Sequence, residues 1–435
     1  MTTNTERRSA ATMVNRSPFF YGWVVWLVGT VALSASMPGQ TASVSLFIDR
    51  WMVDFGLENR STISGLYGAG TFIASLGLTY IGTQLDRFGG RRVGAIAVVL
   101  FALALVFMSL ITNLWMLAIG FVLIRMLGQA TLPLIGTTSV ANWFERLRGR
   151  AIAMMFIGFG LFQRVYLPGV ANLLERYAWQ TVWLFMAAAL VVIVLPLITI
   201  FLRRKPEDFG MRPDGAVPAA QTEAEVEAEA ALELEANYTL REVMRLPIFW
   251  VFLAGQWMPP TFVTAIIFHQ ESLFTSLGYG ATDGATAIAN ASLLSAFLVL
   301  PIGAMIDRIR PSFVLSLELA ALIGSMALSI VMSGPALLWV WVLCIAWVQA
   351  TMGVFSGSVW TNLFGRTSQG QIRGFVATIQ VIGTSVGPIL LALSFDLAGS
   401  YTLSLIGASM LIALPMVGAL FMTKPRPRNL ESAAA

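Results

Sequence analysis

Long apolar runs alternate with short polar breaks along nearly the whole chain. Twelve runs are readable, at about 19–47, 62–84, 93–112, 115–140, 151–174, 181–202, 248–270, 284–306, 312–333, 336–359, 374–396 and 402–422. An α-helix needs ~20 apolar residues to cross ~30 Å of hydrocarbon, and each run supplies that length. A lipid-facing helix is apolar all round, because it has no water to meet. Turns as short as Thr112-Asn113 and Ser333-Gly334-Pro335 force neighbouring helices to run antiparallel. The pattern predicts an all-α membrane protein with twelve transmembrane helices.

One polar stretch is long. Residues 203–247 open with Arg203-Arg204-Lys205 and run through EAEVEAEAALELE, which reads as a solvated, partly helical linker. It divides the chain into a tail (1–18), a six-helix bundle (19–202), a central loop (203–247), a second six-helix bundle (248–422) and a final tail (423–435). An internal repeat supports two pseudo-symmetric bundles. Gly82-x-x-x-Asp86-Arg87 follows the second run, and Gly303-x-x-x-Asp307-Arg308 follows the eighth, 221 residues later. Trp143-Phe144…Arg148-Gly149 after the fourth run is echoed by Trp360…Arg373-Gly374 after the tenth.

Charge gives the orientation. If the N-terminus is cytoplasmic, cytoplasmic segments hold 22 of the 27 Lys and Arg residues, while the opposite side holds only Arg50, Arg60 and Arg176. Basic residues are retained on the cytoplasmic side, so both termini and the central loop are expected inside, in a bacterial inner (plasma) membrane. Composition agrees with lipid as the solvent. Only 11% of residues are charged, too few to cover a soluble protein of this size. The net charge of +4 is spread between runs rather than gathered in a patch, so no nucleic-acid partner is expected. With one cysteine, Cys344, and one histidine, His269, the chain is expected to form no internal disulfide, zinc site or cofactor site. The first run is too long for a signal-peptide core and no small-residue cleavage site follows, so it reads as helix one. Arg7-Arg8 reads as an ordinary basic tail.

The stretch GTQLDRFGGRR (Gly82 to Arg92) resembles the signature loop of the major facilitator superfamily, roughly G-x-L-x-D-R-x-G-R-R. Gln84 stands in place of the usual Leu, and Gly90 in place of a basic residue. Five further stretches resemble the monocarboxylate-transporter and oxalate/formate-antiporter branch. They are DFGLENRSTIS (Asp54 to Ser64), WFERLRGRA (Trp143 to Ala151), RKPEDFGMRPDG (Arg204 to Gly215), YTLREVMRLPIFW (Tyr238 to Trp250) and GRTSQGQIRG (Gly365 to Gly374). The resemblance implies the major facilitator fold, a central cavity, and alternating access by rocking of the bundles. It also implies a small organic anion as solute, moved with a proton or in exchange for a counter-solute, by a monomer in the bilayer. Gly82, Asp86, Arg87 and Arg91, with Asp307 and Arg308, would form a conformational latch. In that latch Gly82 permits close helix approach, and Asp86 caps a helix end and pairs with arginines. Members of this branch commonly carry a basic residue in the eighth helix, whereas GATAIANASLLSAFLVLPIGAM has none. The only lysines, Lys205 and Lys424, lie in segments expected to be cytoplasmic.

Charge within a bilayer is costly, so charged residues inside the runs are the first functional candidates. Arg164 lies about 13 residues, or ~20 Å, into helix five, on a face with Phe156, Gly160 and Pro168. It is the main candidate for the solute's anionic group, with Gln163 beside it. Arg125 sits in the middle of helix four, with Gln129 one turn on, and divides between a structural and a solute- or proton-linked role. His269 ends helix seven. It is either a partner of the helix dipole or a proton carrier that titrates near neutral pH. Glu318, early in helix nine, is expected to pair with Arg308 or Arg310. Gln40, Gln256 and Thr261 are expected to face the cavity. Trp257 either walls that cavity or packs toward lipid, and Pro259-Pro260 suggests a kink. The glycines of GTSVGP (Gly383 to Pro388) are expected to allow tight packing.

The leading reading is therefore a secondary transporter of a small carboxylate. Export of a lipophilic compound and a transporter-like solute sensor are the alternatives. An enzyme is least favoured, because no nucleophile–base pair is visible.

Overall fold

The computed structural model describes residues 14, 17–144, 147–215, 238–355, 359–364 and 369–422. The acidic run 223–235 and both tail ends lie outside the described residues. Among the described residues, eleven helices are long and apolar enough to cross a membrane. The twelfth expected crossing, 62–84, is present as two pieces, Arg60–Leu76 and Leu78–Phe88. They join at Gly77, which keeps right-handed helical dihedrals.

The labels below follow the crossings. They are α1 (Gly22–Ser34), α2 (Arg60–Leu76), α3 (Gly90–Ser109), α4 (Leu114–Ile124), α5 (Arg148–Arg176) and α6 (Trp179–Ala189). The second series is α7 (Pro247–Phe268), α8 (Ala281–Arg308), α9 (Pro311–Val331), α10 (Gly334–Val354), α11 (Gln369–Ala398) and α12 (Thr402–Leu420). The short turns act as caps. The Asn113 side chain accepts from the backbone N–H of Met116 at 3.0 Å and opens α4. Gly334 opens α10 with φ +73°, a conformation that suits glycine.

The chain forms two compact units, Met1–Gly56 with Ala69–Pro218, and Leu57–Gly68 with Ala219–Ala435. In the first, α1 packs on the segment Leu132–Trp143 and on α5, and α3 packs on α6. In the second, α7 packs on α11 and α9 on α12. The pairing of first with fifth helix and third with sixth thus recurs in both units, the packing counterpart of the sequence repeat.

Two of the short stretches singled out above meet in the first unit. Trp143 Nε1 donates to the Arg203 carbonyl at 3.2 Å, and Leu147 N donates to Asp214 Oδ1 at 3.3 Å. These bonds tie the end of the fourth crossing to the start of the central loop. In the stretch Tyr238 to Trp250, Thr239 and Glu242 form a reciprocal capping box just ahead of α7.

Candidate functional site

The first crossing is not one helix, contrary to the single run 19–47 read from hydropathy. α1 stops at Ser34, a 3-10 turn covers Met37–Gly39, and Gln40 is extended at φ −78°, ψ 149°. Helical turns resume at Thr41. Pro38 explains part of this, because it has no N–H to give to the Ser34 carbonyl one turn back. Opposite the break, α4 passes into a π-helical segment, Arg125–Thr131. Such segments are rare and recur at functional sites. The two backbones touch: a Cβ on Gly39 would stand 3.0 Å from Gly128 Cα.

Arg125 is built into this contact. It is only 3% exposed. Its Nε donates to Thr71 Oγ1 at 3.0 Å, and Nη1 donates to the Gly39 carbonyl at 3.2 Å and Thr41 Oγ1 at 3.4 Å. One guanidinium therefore staples the fourth crossing to α2 and to the broken first helix. Gln129, in the same π segment, has its Oε1 buried without a hydrogen-bond partner among the described residues. Gln40 is half-buried, and its Nε2 donates to Ser36 Oγ at 2.9 Å.

Arg164 is placed differently. The span of its helix runs from Arg150 to Arg176, so Arg164 sits one residue from its middle. Its side chain is exposed, and it makes no hydrogen bond or ion pair among the described residues. Gln163, next to it, is buried on the packed side of α5. The same helix is anchored by Tyr166, whose hydroxyl lies 3.0 Å from Ser43 Oγ and 2.9 Å from Met186 Sδ. A fixed helix thus holds an unengaged guanidinium at mid-membrane depth.

In the second unit, α7 and α11 approach closely. A Cβ on Gly383 would collide with Thr261 and Trp257, and one on Gly387 would collide with the Thr261 backbone, so these glycines do serve packing. Trp257 is half-buried against this seam, and Thr261 is fully buried with its hydroxyl on the Trp257 carbonyl at 2.6 Å. Gln256 is also buried, and its side chain is turned into α9. Its Nε2 donates to Glu318 Oε2 at 2.9 Å. The expected pairing of Glu318 with Arg308 or Arg310 does not form. Glu318 is 0% exposed, whereas both arginines are exposed. The rule that singled out Arg125 and Arg164, charge inside an apolar run, reached Glu318 too, but its neighbours along the chain suggested the wrong partner.

His269 caps the end of α7 as expected and is 1% exposed. Its Nε2 lies 2.9 Å from the Pro388 carbonyl, and its Nδ1 lies 3.4 Å from the Tyr401 hydroxyl. A neutral ring donating from Nε2 satisfies the Pro388 carbonyl, while the Tyr401 hydroxyl donates to Ser272 Oγ at 3.0 Å. Asp396, which sequence reasoning missed, receives the N-terminus of α2. Its two carboxylate oxygens accept from Arg60 N at 2.9 Å and Ser61 N at 3.0 Å. The Arg60 guanidinium lies 5.2 Å from the Phe395 ring centre.

The signature loop is partly described. The side chains of Asp86 and Asp307 lie outside the described residues. Among the described residues, a Cβ on Gly82 would meet nothing within 4 Å, and the same holds at Gly303. The glycines that matter locally are the next pair. Gly89 turns the chain at φ +79°, and a Cβ on Gly90 would stand 2.6 Å from Ser139 Oγ. That contact accounts for glycine where the family pattern has a basic residue. Arg87 is exposed with its guanidinium 5.1 Å from the Phe88 ring centre, Arg91 is half-buried, and Arg308 is exposed.

Comparison with known proteins gives one family. A model described as Major Facilitator Superfamily matches residues 28–388. No curated protein matches the chain in sequence. Among solved structures, a bacterial homolog of the human lysosomal transporter Spinster, inward-facing and occupied, is similar at TM-score 0.67 and 15% identity, covering 92% of this chain and 96% of that one. The nucleoside transporter NupG is similar at TM-score 0.65 and 15% identity, covering 92% and 100%. A D-xylose-proton symporter is similar at TM-score 0.64 and 15% identity, covering 94% and 99%. At this identity the likeness is one of fold.

Proposed function

The chain belongs to the major facilitator superfamily, and from that premise we propose that this multi-pass membrane transporter carries a small organic anion, a carboxylate, by alternating access. Transport is coupled to protons or to a counter-solute. One observation carries the choice of an anion: Arg164 at the middle of its span, exposed and without a partner among the described residues. An arginine at that depth costs ~2.5–3.5 kcal/mol on insertion scales. A structural arginine offsets that cost with protein acceptors, as Arg125 does. Arg164 leaves the acceptor to be supplied from outside, and its planar fork suits a carboxylate through two parallel bonds. Gln40 and Gln129, at the broken first helix and the π segment, are proposed as neutral contacts for the rest of the solute. Asp86 with Arg87 and Arg91 is the proposed latch between conformational states. The bias of basic residues supports cytoplasmic termini.

The test is uptake of radiolabelled lactate, oxalate and formate into proteoliposomes with an imposed pH gradient. Uptake of one of them, lost in Arg164→Ala, is the expected result. A wild-type protein that moves none of the three, or an Arg164→Ala variant that moves them normally, would overturn the reading.

A further inference from the structure

Glu318 lies seven residues into α9, ~10 Å from the helix start. It is sealed from solvent, and its only partner among the described residues is the Gln256 amide, which donates to Oε2 at 2.9 Å. Oε1 is buried with no hydrogen-bond partner among the described residues, and so is Gln256 Oε1. The helices packed against α9 are α7, α10 and α12. By sequence α7 and α12 hold no acidic or basic residue, and α10 holds only Cys344, near Gly324 and well along the helix from Glu318. A carboxylate here would meet hydrocarbon with a single N–H for support. A carboxylic acid and a primary amide, by contrast, pair through two bonds, N–H to one oxygen and O–H to the other. The first of these bonds is formed. The second calls for a donor on one of the two Oε1 atoms that have none among the described residues, and a proton on Glu318 Oε1 supplies it.

The amide that holds this acid sits at a weak point of its helix. Pro259 and Pro260 follow within four residues, inside α7. A proline has no N–H, so Pro260 cannot bond the Gln256 carbonyl and Pro259 cannot bond that of Gly255. Gln380 Nε2 takes up the freed Gln256 carbonyl at 3.2 Å, from α11. Gln256 thus connects three helices at the turn where α7 lacks two of its own hydrogen bonds. Bending there carries the amide away from α9.

We infer that Glu318 is a proton-carrying site, closed by the Gln256 amide and gated by the proline-weakened turn of α7. With the turn closed, the acid is held neutral. When Gln256 moves away, the O–H bond of Glu318 breaks, its proton passes to water, and a hydrated carboxylate remains until reclosure restores the acid. This assigns the coupling proton of the proposed transport cycle, and only its role in that cycle rests on the transport reading.

The test needs no solute. Infrared difference spectra are recorded on purified protein in lipid bilayers, wild type against Glu318→Gln. The expected result is a protonated-carboxyl carbonyl band at neutral pH that vanishes in the variant. In Gln256→Leu, which keeps the acid but removes its partner, the band should shift to the position of a free acid. Transfer to heavy water then reads the gate. Deuterium should enter the carboxyl about tenfold more slowly in the Pro259→Ala, Pro260→Ala double variant, where two helix hydrogen bonds can return. No acid band lost in Glu318→Gln would show an ionised group and overturn the site. Equal exchange rates with and without the prolines would overturn the gate. A protein that transports no carboxylate would leave both measurements standing.

Discussion

Replacing Arg164 by alanine should separate binding from stability in opposite directions. The guanidinium has no hydrogen bond among the described residues, so its removal takes nothing from the folded protein. It also removes a charge from mid-span, a depth at which an arginine costs ~2.5–3.5 kcal/mol on insertion scales. Thermal stability should therefore stay level or rise. Binding should fall. A guanidinium–carboxylate fork makes two charge-assisted hydrogen bonds, each worth about 1.5–3 kcal/mol, and an exposed group belongs at the low end. The loss is then about 3 kcal/mol, roughly 150-fold in Kd. Arg164→Lys keeps the charge without the fork and should lose about tenfold. The assay is calorimetric titration with the carboxylate that gives the largest thermal shift on the wild type, beside a melting curve of each variant. Unchanged affinity in a folded Arg164→Ala protein would refute the anion site. A large drop in melting temperature would refute the claim that Arg164 is structurally unengaged.

Arg125→Ala should behave in the reverse way, losing about 3 kcal/mol of stability with its bonds to Thr71, Gly39 and Thr41, as read by melting of the purified protein; a level melting curve would dismiss the staple. Asp396→Asn replaces a charged cap with a neutral one at the start of α2 and should cost about 1 kcal/mol, so an unaltered curve would mean the cap contributes nothing. Cysteines placed at Ala219 and Ser432, in a Cys344→Ser background, should be shielded from impermeant reagents outside intact cells, and labelling of either would reverse the proposed orientation.

What was legible in the chain, and what was not, follows one division. Hydropathy located the crossings because transfer into lipid is a sum over consecutive residues, and helix length is fixed by bilayer thickness. The short caps were legible for the same reason: Asn113, Gly334 and the Thr239–Glu242 box act within one turn. The break in the first crossing was written in Pro38-Gly39, but a sum over apolar residues passes through it without a signal.

Side-chain partnership was decided only by the tertiary structure. Arg125 finds its acceptors 54, 84 and 86 residues away, Gln256 finds Glu318 at 62, and the carbonyl freed by Pro260 is taken by Gln380 at 124. Sequence placed Glu318 beside arginines because they are its neighbours along the chain. The fold placed it against an amide because the rotation of α9 about its axis is set by the helices packed on it. Arg125 and Arg164 are alike to the sequence, each an arginine within an apolar run. Packing alone made one a staple and left the other open, because a buried charge is settled by the acceptors that neighbouring helices bring within about 3 Å, and no local pattern encodes those.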